Sequence, residues 1–243
     1  MKNTPFEVDI LAIGAHPDDV ELGCSGTLIK AVAQGQRVGI CDLTRGELGT
    51  RGNADLRLQE AEAAGNVIGA DFRINLGMPD GFFQNNPDSQ LQIIRVIRAC
   101  RPKVVLCNAP EDRHPDHGRG AALAATACFL SGLRKIETEW GGSAQPAYRP
   151  EVVLHYVQDH FLQPHVVIDI TPFWDQKMKA ILSFESQFYN PNSNEPDSPI
   201  SSKEFLETVR GRALQMGRYI RATYGEGFVS SRPLGVTLPT LLR

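Results

Sequence analysis

The segment VDILAIGA, residues 8–15, is a short apolar run that closes with glycine and alanine. Such a run is typical of a strand buried on both faces of a parallel sheet. A helix over Gly23–Gln34 and a second strand over Gln36–Leu43 follow it, with Gly35 between them as a turn residue that ends the helix. Strand, helix and strand in this order predict one right-handed crossover unit.

Helix and strand patterns continue to alternate along the chain. The predicted helices lie at Ala54–Ile68, Leu91–Cys100, Gly120–Leu133, Pro172–Ser183 and Ser202–Ala222. The predicted strands lie at Phe72–Leu76, Lys103–Asn108, Glu151–Val157 and His165–Ile170. This alternation predicts an α/β protein with a Rossmann-like, mostly parallel sheet and helices on both faces. Because no clear linker or repeat divides the sequence, we expect residues 1–243 to form a single domain.

The composition excludes several classes of protein. Lys and Arg number 25 and Asp and Glu 28, so the net charge of −3 offers no general attraction to nucleic acid or anionic lipid. No run approaches the roughly 18 apolar residues of a membrane span. Residues 1–9 lack the basic start of a signal peptide. We therefore expect a cytoplasmic globular protein with neither nucleic-acid nor membrane partners.

The five cysteines are widely spaced and include no CxxC pair. An odd number without such pairs indicates neither a disulfide framework nor a thiolate zinc site. Cys41 and Cys107 fall inside predicted strands, so we expect them to be small, buried, apolar residues without chemistry.

Two similar segments carry the chemistry: HPDD at 16–19 and HPDH at 114–117. Each follows a predicted parallel strand directly, at the edge where open α/β sheets bind ligands. Together they offer three histidines and three aspartates, which are suitable zinc ligands. A single His-Pro-Asp tripeptide could equally form an Asx turn or a helix cap. Two of them at equivalent places in the sheet favour a metal site.

The segments AHPDDVE (15–21) and RHPDH (113–117) resemble the LmbE or PIG-L type of zinc-dependent N-deacetylase, which acts on N-acetylglucosamine conjugates. MPD (78–80), FESQF (184–188) and YGEGF (224–228) are also similar to members of this family, so the resemblance runs nearly end to end. Within the family, the sequence is most similar to the branch that makes bacillithiol by deacetylating N-acetylglucosaminyl-malate.

The resemblance implies one zinc ion (Zn²⁺) per chain, held by His16, Asp19 and His117 with the fourth position open to water. Three protein ligands and an open position are typical of catalytic zinc, whereas four protein ligands are typical of structural zinc. The resemblance also implies a homo-oligomer, with a hexamer as the candidate.

Three further residues receive catalytic roles from the resemblance. It implies that Asp18 is the general base that activates the water. It implies that His114, oriented by Asp116, is the acid or the electrostatic partner of the tetrahedral intermediate and the leaving amine. Whether His114 or Asp18 delivers the final proton stays open.

Two arginines match positions that family members place at the pocket. A guanidinium of Arg57 or Arg113 could bind a carboxylate such as malate through two hydrogen bonds. Arg57 falls in a predicted helix, so a solvated surface arginine is the alternative for it, and Arg113 is the better candidate. The loop GELGTRG (46–52) is either part of the substrate rim or an ordinary connection.

Two features depart from the bacillithiol branch or have no assigned role. Phe205 stands where close members have tyrosine, which removes a hydroxyl donor near the intermediate. His155 or His160 could replace that donor, although a lone histidine beside a strand is more often structural. The exact substrate and the oxyanion donor are therefore both open at this stage.

We therefore predict a zinc hydrolase that removes acetyl from an N-acetylglucosamine conjugate, with N-acetylglucosaminyl-malate as the first candidate. The alternatives within this class are an inositol glycoside, a chitobiose unit and an antibiotic precursor. Rivals outside it are a non-catalytic nucleotide-binding module and a zinc-storage protein. The first lacks support because residues 16–19 occupy the turn where a phosphate-binding G-x-G-x-x-G would lie.

Overall fold

The computed structural model describes residues 6–236, and the single domain predicted for residues 1–243 extends beyond them at both ends. The strands in this range are β1 Ile10–Gly14, β2 Val38–Thr44, β3 Phe72–Met78, β4 Val104–Cys107, β5 Glu139–Trp140, β6 Ser143–Ala144, β7 Val152–Tyr156, β8 Val166–Asp169 and β9 Gly225–Val229. The helices are α1 Asp19–Ala33, α2 Ala54–Ile68, α3 Pro87–Cys100, α4 Pro115–Leu130, α5 Trp174–Leu182 and α6 Lys203–Tyr219. A short 3₁₀ helix, Thr171–Phe173, precedes α5.

One sheet of seven strands runs through the described residues in the order β3-β2-β1-β4-β7-β9-β8. The first five strands in this order are parallel, and β9 is antiparallel to both of its neighbours. The predicted Rossmann-like, mostly parallel sheet is confirmed. The strand order reverses at β1, which lies between β2 and β4, and such a reversal leaves a crevice beyond the carboxyl ends of the strands. Both His-Pro-Asp segments follow the two strands at this crevice.

The central strand β1 is apolar on both faces, and each face meets a helical layer. Leu11 and Ile13 belong to a core formed with α3 and α4, whereas Ala12 belongs to a second core formed with α1. Successive side chains of a strand point to opposite faces, so an apolar run needs cover on each side. All five cysteines are free and buried, which confirms the burial predicted for Cys41 and Cys107.

Helix α2 begins and ends where the sequence predicts. The Asn53 side chain caps it by accepting hydrogen bonds from the backbone N–H groups of Asp55 (3.1 Å) and Leu56 (2.9 Å). Gly69 ends it with a φ of 81°, a left-handed conformation that favours glycine. None of the helices described between residues 6 and 236 has the length and hydropathy needed to cross a lipid bilayer.

Helices α1 and α4 begin earlier than predicted, at Asp19 and Pro115 instead of Gly23 and Gly120. Proline suits a first helical turn because its missing N–H is not needed there, and the helix dipole favours the carboxylate of Asp19 at the same place. Residues 114–117 therefore cap and start α4, whereas residues 16–18 form the turn directly before α1 and Asp19 is its first residue. This places their side chains at helix N-termini beside the crevice.

Strand β9 has no counterpart among the predicted strands, because Gly225 and Gly227 interrupt its apolar pattern. Both glycines pack closely against α6. A Cβ on Gly225 would lie 2.8 Å from the backbone nitrogen of Gly217, and one on Gly227 would lie 2.7 Å from the sulfur of Met216. The close packing of the strand on the helix therefore requires residues that weaken the sequence signal for a strand.

Candidate metal centre and substrate cleft

A cleft of about 490 Å³ opens at the carboxyl ends of the parallel strands. All five parallel strands that are adjacent in the sheet contribute to it through the loops that follow them. The contributing segments lie within residues 16–19 after β1, 46–50 after β2, 80–81 after β3, 113–117 after β4 and 157–159 after β7. The fold thus brings together residues more than one hundred positions apart in the sequence.

The three predicted metal ligands lie side by side in this cleft. Asp19 is located between two imidazoles, with its Oδ2 3.5 Å from Nδ1 of His16 and its Oδ1 3.0 Å from Nε2 of His117. All three residues are buried. Two imidazoles and one carboxylate are a common donor set for zinc. The structure brings these residues together, and their role as ligands stays a prediction.

The remaining ring nitrogen of each histidine faces a carboxylate. Nε2 of His16 lies 3.0 Å from Oδ1 of Asp80 and 3.3 Å from Oδ2 of Asp116. Nδ1 of His117 lies 2.5 Å from Oδ2 of Asp112, whose side chain is fully buried. Metal-ligating histidines generally donate their second N–H to such a partner, which sets the tautomer and the ring orientation. Both imidazoles are thus oriented with their free nitrogens toward Asp19.

The Asp19 carboxylate is held by two amide side chains that sequence reasoning missed. Oδ2 accepts from Nδ2 of Asn108 (2.9 Å), and Oδ1 accepts from Nε2 of Gln158 (2.9 Å). The backbone N–H of His16 also donates to Oδ2 (2.9 Å). Asn108 ends one predicted strand and Gln158 follows the next, but a single polar residue at the end of a strand does not by itself indicate this role.

The electrostatics of the cluster fit a bound cation. Burial lowers the pKa of His117, but the charge of Asp19 and the hydrogen bond with Asp112 outweigh it and raise that pKa to about 9. Burial also acts to lower the pKa of His16, but the carboxylates that it contacts raise that pKa well above its usual value. Burial acts to raise the pKa of Asp19, but the charges of the imidazoles and their hydrogen bonds hold it well below its ordinary range. A divalent metal can replace the protons that balance the carboxylates.

Addition of zinc to the metal-free protein at pH 7 should release about two protons per bound ion, because protonated His16 and His117 must become neutral to bind metal. Calorimetry in buffers of different ionisation enthalpy measures this number. The number of released protons should fall, and the apparent affinity for zinc should rise, as the pH increases through about 9, the pKa of His117. His160→Gln, which removes an exposed imidazole, should leave the number unchanged. Binding without proton release at pH 7 would contradict the raised pKa values.

Two other groupings of side chains at this centre could offer ligand atoms to a metal. One comprises His16, His114 and His117, and the other comprises His16, Asp80 and Asp116. Oδ2 of Asp80 accepts from the backbone N–H of Leu48 (2.9 Å), and Oδ2 of Asp116 accepts from that of Gly81 (2.8 Å). These bonds suit an orienting role behind the His16 ring. We therefore keep Asp19 in the proposed ligand set.

Asp18 and Arg57 form a buried ion pair in the cleft. Nη2 of Arg57 lies 3.1 Å from Oδ2 of Asp18 and also donates to the backbone oxygen of Pro17. Burial raises the pKa of Asp18 to about 7, although the Arg57 charge opposes it. Asp18 also has a φ of 121°, a strained conformation for a residue other than glycine. The alternative of a solvated surface arginine is wrong, since Arg57 is only 4% exposed.

His114 caps helix α4 in a way that differs from the expected pairing. Its Nδ1 accepts a hydrogen bond from the backbone N–H of Asp116 (3.2 Å), which places the proton of the neutral ring on Nε2. The Asp116 carboxylate instead contacts His16, Gly81 and Arg119. Side chains two residues apart in a helical turn point in different directions, so the expectation that this carboxylate orients His114 is wrong. Burial, then the charges of His16 and His117, lower the pKa of His114.

The other predicted substrate residue, Arg113, lines the cleft from an exposed position. Its Nε lies 2.5 Å from Oδ2 of Asp159. The loop after β2 also lines the cleft, through Gly46, Leu48, Gly49 and Thr50, so it is more than an ordinary connection. Phe205 lines the cleft as well, and its ring stacks on Phe188 with 6.1 Å between centroids.

The two histidines without an assigned role lie behind or beside the site. His155 is buried, and its Nδ1 is 2.8 Å from the backbone oxygen of Asn108. His160 is exposed, and its backbone N–H donates to Oδ1 of Asp112 (2.6 Å). Neither is among the residues that line the cleft. These contacts favour the structural alternative over replacement of the missing tyrosine hydroxyl.

The buried cluster of imidazoles and carboxylates lies where the strand order reverses, and the carboxylate of Asp18 lies beside it. This arrangement is typical of metal-dependent hydrolases with a Rossmann-like sheet. The family model described as PIG-L, GlcNAc-PI de-N-acetylase, matches residues 11–128. The chain belongs to the PIG-L family, and it is a metal-dependent deacetylase that hydrolyses an amide bond.

Individual relatives agree with this membership. Diacetylchitobiose deacetylase of Thermococcus kodakarensis is 28% identical over 239 residues, which are 93% of this chain and 84% of the relative. The uncharacterized deacetylase YaiS of Escherichia coli is 32% identical over 134 residues, 49% of this chain and 67% of the relative. The conserved protein TT1542 from Thermus thermophilus has 37% sequence identity to this chain. Its crystal structure matches the fold with a TM-score of 0.84 over 95% of this chain and 98% of that one.

Proposed function

We propose that this protein is a zinc-dependent deacetylase that removes the acetyl group from the nitrogen of an N-acetylglucosamine conjugate. The observation that carries the proposal is the position of Asp19 between His16 and His117, with Asp18 beside it in an open cleft. His16, Asp19 and His117 would hold the zinc ion. The ion would supply a Lewis acid for the amide carbonyl and a water of lowered pKa.

The side chains of the site have distinct tasks in this reaction. Arg57 binds Oδ2 of Asp18, so the other oxygen of that carboxylate can accept a proton from the attacking water. As the water oxygen bonds to the carbonyl carbon, negative charge develops on the carbonyl oxygen. Neutral His114 can donate its Nε2–H to that oxygen, a form of stabilisation that needs no positive imidazolium. The carbon–nitrogen bond then breaks and the amine leaves with a proton from Asp18 or His114, which produces acetate and a free amine.

The natural substrate that we propose is N-acetylglucosaminyl-malate. Support comes from Arg113 at the cleft, whose guanidinium suits a carboxylate of the malate group. A second candidate is a neutral N-acetylated disaccharide, because the relative from Thermococcus kodakarensis is named a diacetylchitobiose deacetylase and matches 93% of this chain. The two candidates differ in charge, which allows a direct comparison.

Zinc-loaded protein should release acetate from N-acetylglucosaminyl-malate faster than from diacetylchitobiose or plain N-acetylglucosamine. Removal of the metal with a chelator should abolish release, and addition of zinc should restore it, since the amide carbonyl is a poor electrophile without a Lewis acid. Acetate is measured by a coupled enzymatic assay, with heat-inactivated protein as the control. Full activity in metal-depleted protein would overturn the mechanism, and faster release from diacetylchitobiose would overturn the substrate.

A further inference from the structure

One face of helix α6 lines the cleft, and a single cation interrupts its otherwise mostly apolar surface. Residues at spacings of three and four share one side of a helix. The residues of α6 that line the cleft follow this spacing and are Phe205, Thr208, Val209, Arg212, Ala213 and Met216. Arg212 is thus the one charged residue among these six lining residues, and Thr208 is the one uncharged polar residue among them.

The partly buried guanidinium of Arg212 has a carbonyl oxygen as its hydrogen-bond partner. The side chain is partly buried, and its Nη2 donates to the backbone oxygen of Asp159. Burial lowers the pKa of Arg212, while the charges of Asp159 and Asp112 oppose this. A carbonyl oxygen is a weaker partner than a carboxylate or phosphate, which a guanidinium can bind through two parallel hydrogen bonds. The position therefore favours an anionic ligand.

Asp159 connects Arg212 to Arg113, the other arginine on this side of the cleft. It contacts both guanidiniums, but its carboxylate binds Nε of Arg113, whereas Arg212 donates to its backbone oxygen. The other nearby carboxylate, that of Asp112, contacts His117. Arg57 does not add to this pair, because it is bound to Asp18.

We propose that Arg212 and Arg113 together form a binding site for an anionic group, a carboxylate or a phosphate, on the aglycone of the substrate, and that Arg212 determines specificity for it. The inference rests on the proposed function, because it assumes a sugar conjugate with its N-acetyl group at the metal centre. It adds a residue on α6, about one hundred positions from Arg113, and it restricts the substrate class to acidic conjugates.

The test compares Arg212→Gln with Arg210→Gln, a matched control on the same helix whose side chain is exposed and does not line the cleft. Three substrates are used with zinc-loaded protein: N-acetylglucosaminyl-malate, N-acetylglucosamine 1-phosphate and methyl N-acetylglucosaminide. Arg212→Gln should lower kcat/KM for an acidic substrate about tenfold more than for the neutral one, mainly through KM. Arg212→Lys should recover part of the loss, and Arg210→Gln should change no ratio. The preferred acidic substrate distinguishes carboxylate from phosphate.

Two results would overturn the inference. One is an equal loss of kcat/KM on acidic and neutral substrates. The other is a melting temperature that falls in Arg212→Gln and recovers in Arg212→Lys while the selectivity for acidic substrates does not recover. Calorimetric titration of malate and of inorganic phosphate separates it from the proposed function. If wild-type protein cleaves no conjugate yet binds malate or phosphate, and Arg212→Gln and Arg113→Gln weaken that binding, the anion site stands and the proposed function fails. If neither anion binds and acidic and neutral conjugates are cleaved equally well, the anion site fails and the proposed function stands.

Discussion

Asp18→Asn is expected to reduce turnover by a factor on the order of 10² to 10⁴ while the protein keeps its metal, because the amide preserves the shape of the side chain but cannot accept the proton. Asparagine also tolerates a positive φ better than most residues, so the backbone at 18 should not move. Its amide oxygen can still accept a hydrogen bond from Arg57. Acetate release gives the rate, and elemental analysis gives the zinc content.

The control for this change is Asp88→Asn, the same substitution at an exposed residue of the first turn of α3, which should leave the rate unaltered. The acid limb of the pH–rate profile adds a second measurement. If that limb reports the ionisation of Asp18 or of the attacking water, it should flatten or move in Asp18→Asn. Wild-type turnover in Asp18→Asn would place the base elsewhere, with His114 as the next candidate.

Asp19→Asn should abolish activity by a different route, through loss of the metal itself. Both oxygens of Asp19 accept hydrogen bonds from side-chain amides, Nδ2 of Asn108 and Nε2 of Gln158. Either orientation of an asparagine amide would direct its NH₂ group toward one of these donors. The substitution therefore removes the central negative charge and misorients its replacement, so zinc content and turnover should fall together.

Zinc content is compared with that of His117→Ala, which removes another of the three proposed ligands and should behave alike. Thermal melting of the metal-free proteins shows whether the fold is intact, since a loss of metal matters only in a folded chain. Stoichiometric zinc in both variants would refute the ligand set. If Asp19→Asn keeps its zinc while Asp18→Asn loses it, the roles of the two neighbouring aspartates are reversed.

Much of the site could be predicted because its chemistry is concentrated in two short segments at equivalent positions. Each His-Pro-Asp segment directly follows a strand, and a parallel sheet aligns the ends of its strands at one edge. Proximity of HPDD and HPDH therefore follows from the strand pattern alone. The residues that support them were not predictable in this way. Asp112 and Gln158 are single polar residues in loops, and nothing nearby in the sequence distinguishes them from ordinary polar residues of a surface loop.

The contacts of Asp116 differ from those that its place in the sequence suggests. Its position two residues after His114 suggested that its carboxylate orients that ring, but it contacts His16 and Arg119 instead. The reason is that Asp116 lies in the first turn of α4, where the helix directs its side chain toward the loop that precedes α1. The partner of a side chain on a helix depends on which element faces it, and sequence distance does not contain that information.

The amino-acid sequence alone specified the parallel α/β fold and the location of the chemistry, because apolar strand runs, helix boundaries and the two His-Pro-Asp segments are all local patterns. The tertiary structure alone decided how the site is held and charged. It placed Asp80 and Asp112 behind the two histidines, Arg57 on Asp18, and Arg212 against the cleft. These contacts join segments from separate strands and helices, and their energy depends on distances and burial that exist only after the chain has folded.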